Sequence, residues 1–183
     1  LNFGGIIHEI NTPDKYNNFK NIVLNYPLIN DYFNDSYYVG AAIGRYANRI
    51  KNGTFKLNDQ NYYLEKNDSD NHLHGGSNGF HKVNWDLKSK SNRSIHLSHI
   101  CDEKTYPGKI EVDLIYTIND DNSFEIEFIA YADEDTIFNP TSHSYFNLGK
   151  DQTILNHELQ ISSDQFLEIN KNGIPTGNFL DIK

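Results

Sequence analysis

The stretch that decides the fold runs from Ile110 to Ala132: Ile110-Glu-Val-Asp-Leu-Ile-Tyr-Thr-Ile118, then Asn119-Asp-Asp-Asn-Ser123, then Phe124-Glu-Ile-Glu-Phe-Ile-Ala-Tyr-Ala132. In the first arm Ile110, Val112, Leu114, Tyr116 and Ile118 fall on one side of a pleated strand, and in the second Phe124, Ile126, Phe128, Ala130 and Ala132 do so. Side chains alternate faces along a strand, so each arm has one apolar face, and the Asn/Asp cluster between them is a turn signal. The two arms predict an antiparallel hairpin. Working outward, Thr54–Leu57 and Asn61–Leu64 read as a second hairpin closed by Asn58-Asp59-Gln60. Trp85–Ser89 and Ser94–Ser98 read as a third, turning through Lys90 to Arg93. Further strands are expected at Gly5–Ile10, Ile22–Tyr26, Ser144–Asn147 and His157–Ile161, with one helical turn at most, at Leu28–Phe33. Many short strands and almost no helical period predict an all-β, antiparallel sandwich or barrel. The 183 residues show no internal repeat and no Pro/Gly linker, so one domain over 1–183 is expected.

Composition narrows the function classes. A net charge of −9 leaves no surplus of Lys and Arg for phosphate backbones, which argues against a nucleic-acid partner. No apolar run approaches the roughly 20 residues of a membrane-spanning helix. The single cysteine, Cys101, supports neither a disulfide framework nor a Cys-based zinc site, and a buried thiol is expected there. The chain has no methionine and opens on Leu1, so a trimmed or partial chain is expected. No charged-then-apolar leader is visible, which makes the cytoplasm the expected location.

Three segments break the alternation: Gly44-Arg45-Tyr46-Ala47-Asn48-Arg49-Ile50, Leu73-His74-Gly75-Gly76-Ser77-Asn78-Gly79-Phe80-His81, and Asn139-Pro140-Thr141-Ser142-His143-Ser144-Tyr145-Phe146-Asn147-Leu148-Gly149. A scaffold that needs only turns has no use for Arg, His and Tyr gathered in its irregular segments, which is where binding and chemistry tend to lie. Sugars offer hydroxyls around a weakly apolar ring, so their sites pair Asn, Arg, His and Asp with aromatic side chains. These segments fit that chemistry. The alternation His72-Leu73-His74, with His81 beyond, also fits a metal strand, but Gly75-Gly76-Ser77-Asn78 stand where a carboxylate ligand would be wanted. No metal is expected. Walker, Rossmann and Gly-x-Ser-x-Gly patterns are absent.

In this order the segments resemble the aldose 1-epimerase (galactose mutarotase) family. Phe3-Gly4-Gly5-Ile6-Ile7 is similar to its first strand, and Tyr38-Val39-Gly40 through Arg49-Ile50 to its Gly-Arg-x-Ala-Asn-Arg-Ile signature. Leu73-His74-Gly75-Gly76, with Gly79-Phe80 and Trp85, is similar to its His-Gly-Gly segment. Tyr106-Pro107-Gly108, Asn139 through Leu148, and Ile174-Pro175-Thr176-Gly177 fit as well. The resemblance implies the large galactose-mutarotase-like β-sandwich (supersandwich), incomplete at the C-terminal end of this chain. It implies interconversion of the α and β anomers of an aldohexose such as galactose or glucose, without cofactor. It makes His143 the general acid, a role suited to a side chain that exists in both protonation states near neutral pH. It makes Asn48, Arg49, His74, Ser144 and Tyr145 substrate-binding, with Trp85 supporting the core and Arg45 ordering its loop. The family's general base is a glutamate near the C-terminus. Neither that motif nor the preceding aspartate has a match here, and Glu158 and Glu168 have no family counterpart. The missing segment, or a second copy of the chain, is therefore expected to complete the sheets. A non-catalytic sugar-binding module and a degenerate structural copy remain as alternatives.

Overall fold

The computed structural model describes residues 1–102 and 104–182. Its strands are β1 (Asn11–Pro13), β2 (Phe19–Asn21), β3 (Ala42–Ile43), β4 (Arg49–Ile50), β5 (Thr54–Leu57), β6 (Gln60–Tyr63), β7 (His72–Leu73), β8 (Asp86–Lys90), β9 (Ser94–Cys101), β10 (Ile110–Ile118), β11 (Phe124–Ala132), β12 (Thr141–Ser142), β13 (Gln165–Ile169) and β14 (Pro175–Asp181). Helical structure among the described residues is confined to short 3₁₀ turns, the longest at Ile29–Asn34 where a single turn was expected. Among the described residues no helix is long and apolar enough to cross a membrane. The fold is all-β, and the named strands pair antiparallel.

The largest sheet has the order β11-β10-β9-β8. Ile110 pairs with Ala132 and Ile118 with Phe124, the register that the alternating pattern requires. On the inner face Ile110, Val112 and Leu114 are fully buried, together with Leu97 and Cys101 of β9. Each such aliphatic side chain contributes roughly 1.5–3 kcal/mol when removed from water. Against this face pack Ala42 of β3, Phe80 of the second irregular segment and Trp85 just before β8. Strand β3 separates two cores: Ala42 faces the sheet, while Ala41 and Ile43 face Ile6, Tyr32, Val39 and Ala47.

That layer also fixes the third segment. His143 N–H donates to Ala41 O at 2.8 Å, Gly40 N–H donates to His143 O at 3.2 Å, and β12 pairs with β3 through Thr141 opposite Ile43. On the other side Ile7 N–H donates to Gly40 O and Ala42 N–H to Gly4 O.

Several expected strands differ. The second hairpin closes through two residues, because Gln60 pairs with Leu57 while Asn58 and Asp59 take φ of 47° and 61°. Both central residues at positive φ make the tight turn whose twist matches paired strands. Gly5–Ile10 makes backbone hydrogen bonds without a ladder, and Ile22–Tyr26 and Ser144–Asn147 meet in one bridge, Val23 to Phe146. His157–Ile161 forms no strand. The β13–β14 hairpin was not expected, since Pro175 and Gly177 interrupt its pattern.

Candidate active site

The first two segments cross at a point where no side chain fits. A Cβ on Gly75 would lie 1.8 Å from Gly44 O, and one on Gly44 would lie 2.1 Å from the Phe80 ring. Phe80 N–H donates to Gly44 O at 3.1 Å, which locks the crossing. Beneath it Arg45 is buried, at 2% exposure, and serves the scaffold. Its guanidinium donates to Pro107 O, Gly108 O, Thr136 Oγ1, Cys101 O and Cys101 Sγ, and lies 5.2 Å from the Tyr106 ring centroid. Trp85 is likewise interior, its Nε1–H donating to Phe80 O.

Strand β4 pairs with β7, Arg49 opposite Leu73 and Ile50 opposite His72. His72 points inward. Glu65 O can only accept, so Nδ1 of His72 donates to it at 2.7 Å, and Nε2 then accepts from Tyr106 OH at 2.6 Å. Burial lowers its pKa. His74 leaves the strand, taking φ +54°, and its ring turns to the opposite environment. There Nδ1 accepts the Asn48 N–H at 3.0 Å, which leaves Nε2–H as a free-standing donor in the neutral tautomer. Burial, then the neighbouring His143 and Arg49, push the His74 pKa down to about 4.

The rings of His74 and His143 meet edge to face with centroids 5.3 Å apart. Tyr38, to which no role was assigned from the sequence, sits at the hub of this cluster, 4.7 Å from His74, 5.7 Å from His143 and 4.8 Å from His81. His81 is buried behind it, its pKa pushed down to about 4 by burial and then by Lys82. Tyr145 packs on His143 at 5.0 Å and donates its hydroxyl to Tyr37 O. Tyr38, Asn48 and His74 all have left-handed backbone, at φ 59°, 63° and 54°. Such conformations cost of order 1–3 kcal/mol each and concentrate where function demands a particular side-chain direction.

Arg49 lies beside this cluster. Its Nε–H donates to Asp68 Oδ2 at 2.7 Å and Nη1 to Asn48 Oδ1 at 3.4 Å. Gly173 covers its flat face, since a Cβ there would lie 2.9 Å from Nη1. The structure therefore brings together Asn48, Arg49, His74, His143 and Tyr145. Ser144 is adjacent in sequence, and its hydroxyl pairs with that of Ser142 at 3.2 Å. Glu168 is engaged elsewhere: it accepts from Thr176 and Asn178 side chains, which lowers its pKa, and Glu158 is exposed. Sequence reasoning missed Tyr38, Asp68 and Gly173. The position of Tyr38 one residue before the Val39-Gly40 pair was the available signal; Asp68 and Gly173 had none.

A group that donates at Nε2 of His74, a guanidinium edge and a second histidine, lined by tyrosines, suits a small neutral polyhydroxy molecule. A family model described as aldose 1-epimerase matches residues 1–183. The chain is 36% identical over 165 residues to a maltose epimerase of Levilactobacillus brevis, covering 87% of this chain and 48% of that protein. It is 35% identical over 192 residues to an aldose 1-epimerase of Streptococcus thermophilus, covering 100% and 54%. A solved GalM/aldose epimerase homologue from C. elegans superposes with a TM-score of 0.94 at 31% identity, covering 98% of this chain and 56% of that one. The chain thus spans about half the length of the curated relatives it matches.

Proposed function

This chain belongs to the aldose 1-epimerase family, and from that premise we propose that its protein interconverts the α and β anomers of an aldohexose, galactose or glucose. The observation that carries the reading is the edge-to-face meeting of His74 and His143 at 5.3 Å beside Arg49.

In this mechanism a base removes the C1 hydroxyl proton while the C1–ring-oxygen bond breaks, and His143 delivers a proton to the departing ring oxygen. The product is the open-chain aldehyde. Rotation about C1–C2 presents the other carbonyl face, the ring hydroxyl attacks it, and both protons return. His74 and His143 divide the labour. His74 holds a neutral ring with Nε2–H outward, so it binds an oxygen without competing for the acid role. Arg49 and Asn48 bind further hydroxyls, and Ser144 and Tyr145 line the pocket. Asp68, the carboxylate beside this cluster, is taken up by Arg49, and the scheme assigns the base's role to no described residue of this chain. Only protons move, and the scheme calls for no cofactor.

The test is polarimetry of freshly dissolved α-galactose with the full natural protein and with His143→Asn. The wild type should speed equilibration, and the variant should lose about 10²–10⁴-fold of that rate with galactose binding retained. Binding without any acceleration by the wild type would replace this reading by a sugar-binding module. Absence of both would sink it.

A further inference from the structure

We infer that Asp68 is a specificity-determining positioning residue: it aims the Arg49 guanidinium and balances its charge, so that the site takes a neutral hexose rather than a sugar phosphate. The inference rests on the reading of Arg49 as a sugar ligand.

The pair is built from three sides. Asp68 Oδ2 accepts Nε–H of Arg49 at 2.7 Å, with both side chains about two-thirds buried. Asn48 Oδ1 takes one Nη1 hydrogen, and the Gly173 backbone lies across the flat face. Of the five N–H groups in the guanidinium fork, both hydrogens of Nη2 and one of Nη1 remain to meet vicinal hydroxyls. Asp68 is itself held. Its N–H and C=O both bond Asn71, at 3.1 and 2.9 Å, and Asn71 Oδ1 accepts Asn52 N–H. The Asn67 side chain brackets the Leu73 backbone on both sides, tying this turn to the strand opposite Arg49. Gly173 is held in turn by Asn170, whose Oδ1 accepts the N–H of both Asn172 and Ile174.

Charge follows from the same contact. An unpaired arginine in a half-buried pocket is an anion trap, since guanidinium–phosphate hydrogen bonds are charge-assisted and bidentate. With a carboxylate at 2.7 Å the local charge is balanced while the fork's remaining N–H groups still donate to neutral hydroxyls. Asp68 also faces Tyr38, whose pKa is raised by burial and then by this carboxylate, with Arg49 acting in the opposite direction.

The two effects separate by substitution in the full natural protein. Asp68→Asn keeps an oxygen acceptor and removes the charge; Asp68→Ala removes both. Asp68→Ala should raise KM for galactose about tenfold with kcat within about threefold, and Asp68→Asn should leave KM near wild type. Both should gain about tenfold in affinity for galactose 6-phosphate over wild type. Melting temperatures within about 2 °C of wild type would show that folding is intact. In ¹⁵N spectra of the chain's three arginines, a protected Nε–H should be present in wild type, shifted in Asp68→Asn and lost in Asp68→Ala. A KM and a phosphate preference that stay at wild-type values in Asp68→Ala overturn the inference, as does an unchanged Nε–H resonance. If the wild type neither binds nor converts galactose, the mutarotase reading falls, and the Nε–H and galactose 6-phosphate measurements still decide on Asp68.

Discussion

Gly75 and Gly177 share a left-handed backbone, at φ +86° and +91°, and almost nothing else. At Gly75 another segment's carbonyl lies where a side chain would begin; around a Cβ on Gly177 there is nothing within 4 Å. The same contrast runs through their regions. The layer that carries the site is pressed between the four-stranded sheet and a second core, with Ala42, Ile43, Val112 and Leu114 wholly buried. The β13–β14 hairpin is paired backbone to backbone, yet Phe166, Ile169 and Phe179 are exposed. Strand pairing and burial are separate sources of order. The first satisfies peptide groups; the second supplies most of the free energy.

The largest effect expected from this contrast is at the two glycines. Gly75→Ala meets backbone on backbone as well as a disfavoured φ, and should cost more than about 4 kcal/mol or prevent folding. Gly177→Ala meets only the φ penalty, about 1 kcal/mol. Denaturant melts of the two variants compare them directly, and equal losses would break the distinction. Next come the apolar side chains: Leu114→Ala should cost about 3 kcal/mol by opening the core, and Phe179→Ala, at 67% exposure, within about 0.5 kcal/mol. A Phe179→Ala loss as large as that of Leu114→Ala would mean the hairpin is a buried element of the natural protein.

The smallest effect is on pH. The folded pKa of His74 lies near 4, below the ordinary value of 6.5, so between these values the unfolded chain binds a proton that the folded one refuses. Stability contributed by a neutral His74 is therefore whole above about pH 6.5 and lost as pH falls toward 4. His81, lowered to about 4 by burial, adds in the same direction. Melting temperature should drop across that window, and His74→Phe should flatten the slope. NMR should show the His74 ring still neutral at pH 5. A ring titrating near 6.5 would remove the neutral Nε2–H donor that the proposed role of His74 needs.

The pattern in Ile110–Ala132 was legible because one face of that hairpin is buried and period 2 records it in the sequence. The two-residue turn at Asn58-Asp59 was nearly legible, with only Gln60 misplaced. Gly5–Ile10 misled for a physical reason: its apolar residues are buried in a layer whose hydrogen bonds go to separate segments, so alternation did not mean a ladder. The β13–β14 hairpin was hidden because Pro175 and Gly177 break its alternation and its apolar residues, Phe166, Ile169 and Phe179 among them, are exposed rather than gathered on one buried face. Of the residues gathered around His74 and His143, those in the three irregular segments were singled out from the sequence, while Tyr38, Asp68 and Gly173 were not.

By itself, then, the sequence determined the β class, the central hairpin and the residue types of the candidate site, since each is written in local spacing or in a contiguous motif. Tertiary structure alone decided which way those residues face. His72 and His74, two apart, would share one face of a continuous strand. The strand ends at Leu73, His74 turns left-handed, and one histidine closes a core contact with Tyr106 while the other meets His143. Likewise Arg49 finds Asp68 and Gly173 only when segments 19 and 124 residues away fold against it. A side chain's direction and partners depend on backbone dihedrals and on distant neighbours, and neither is carried by residue type.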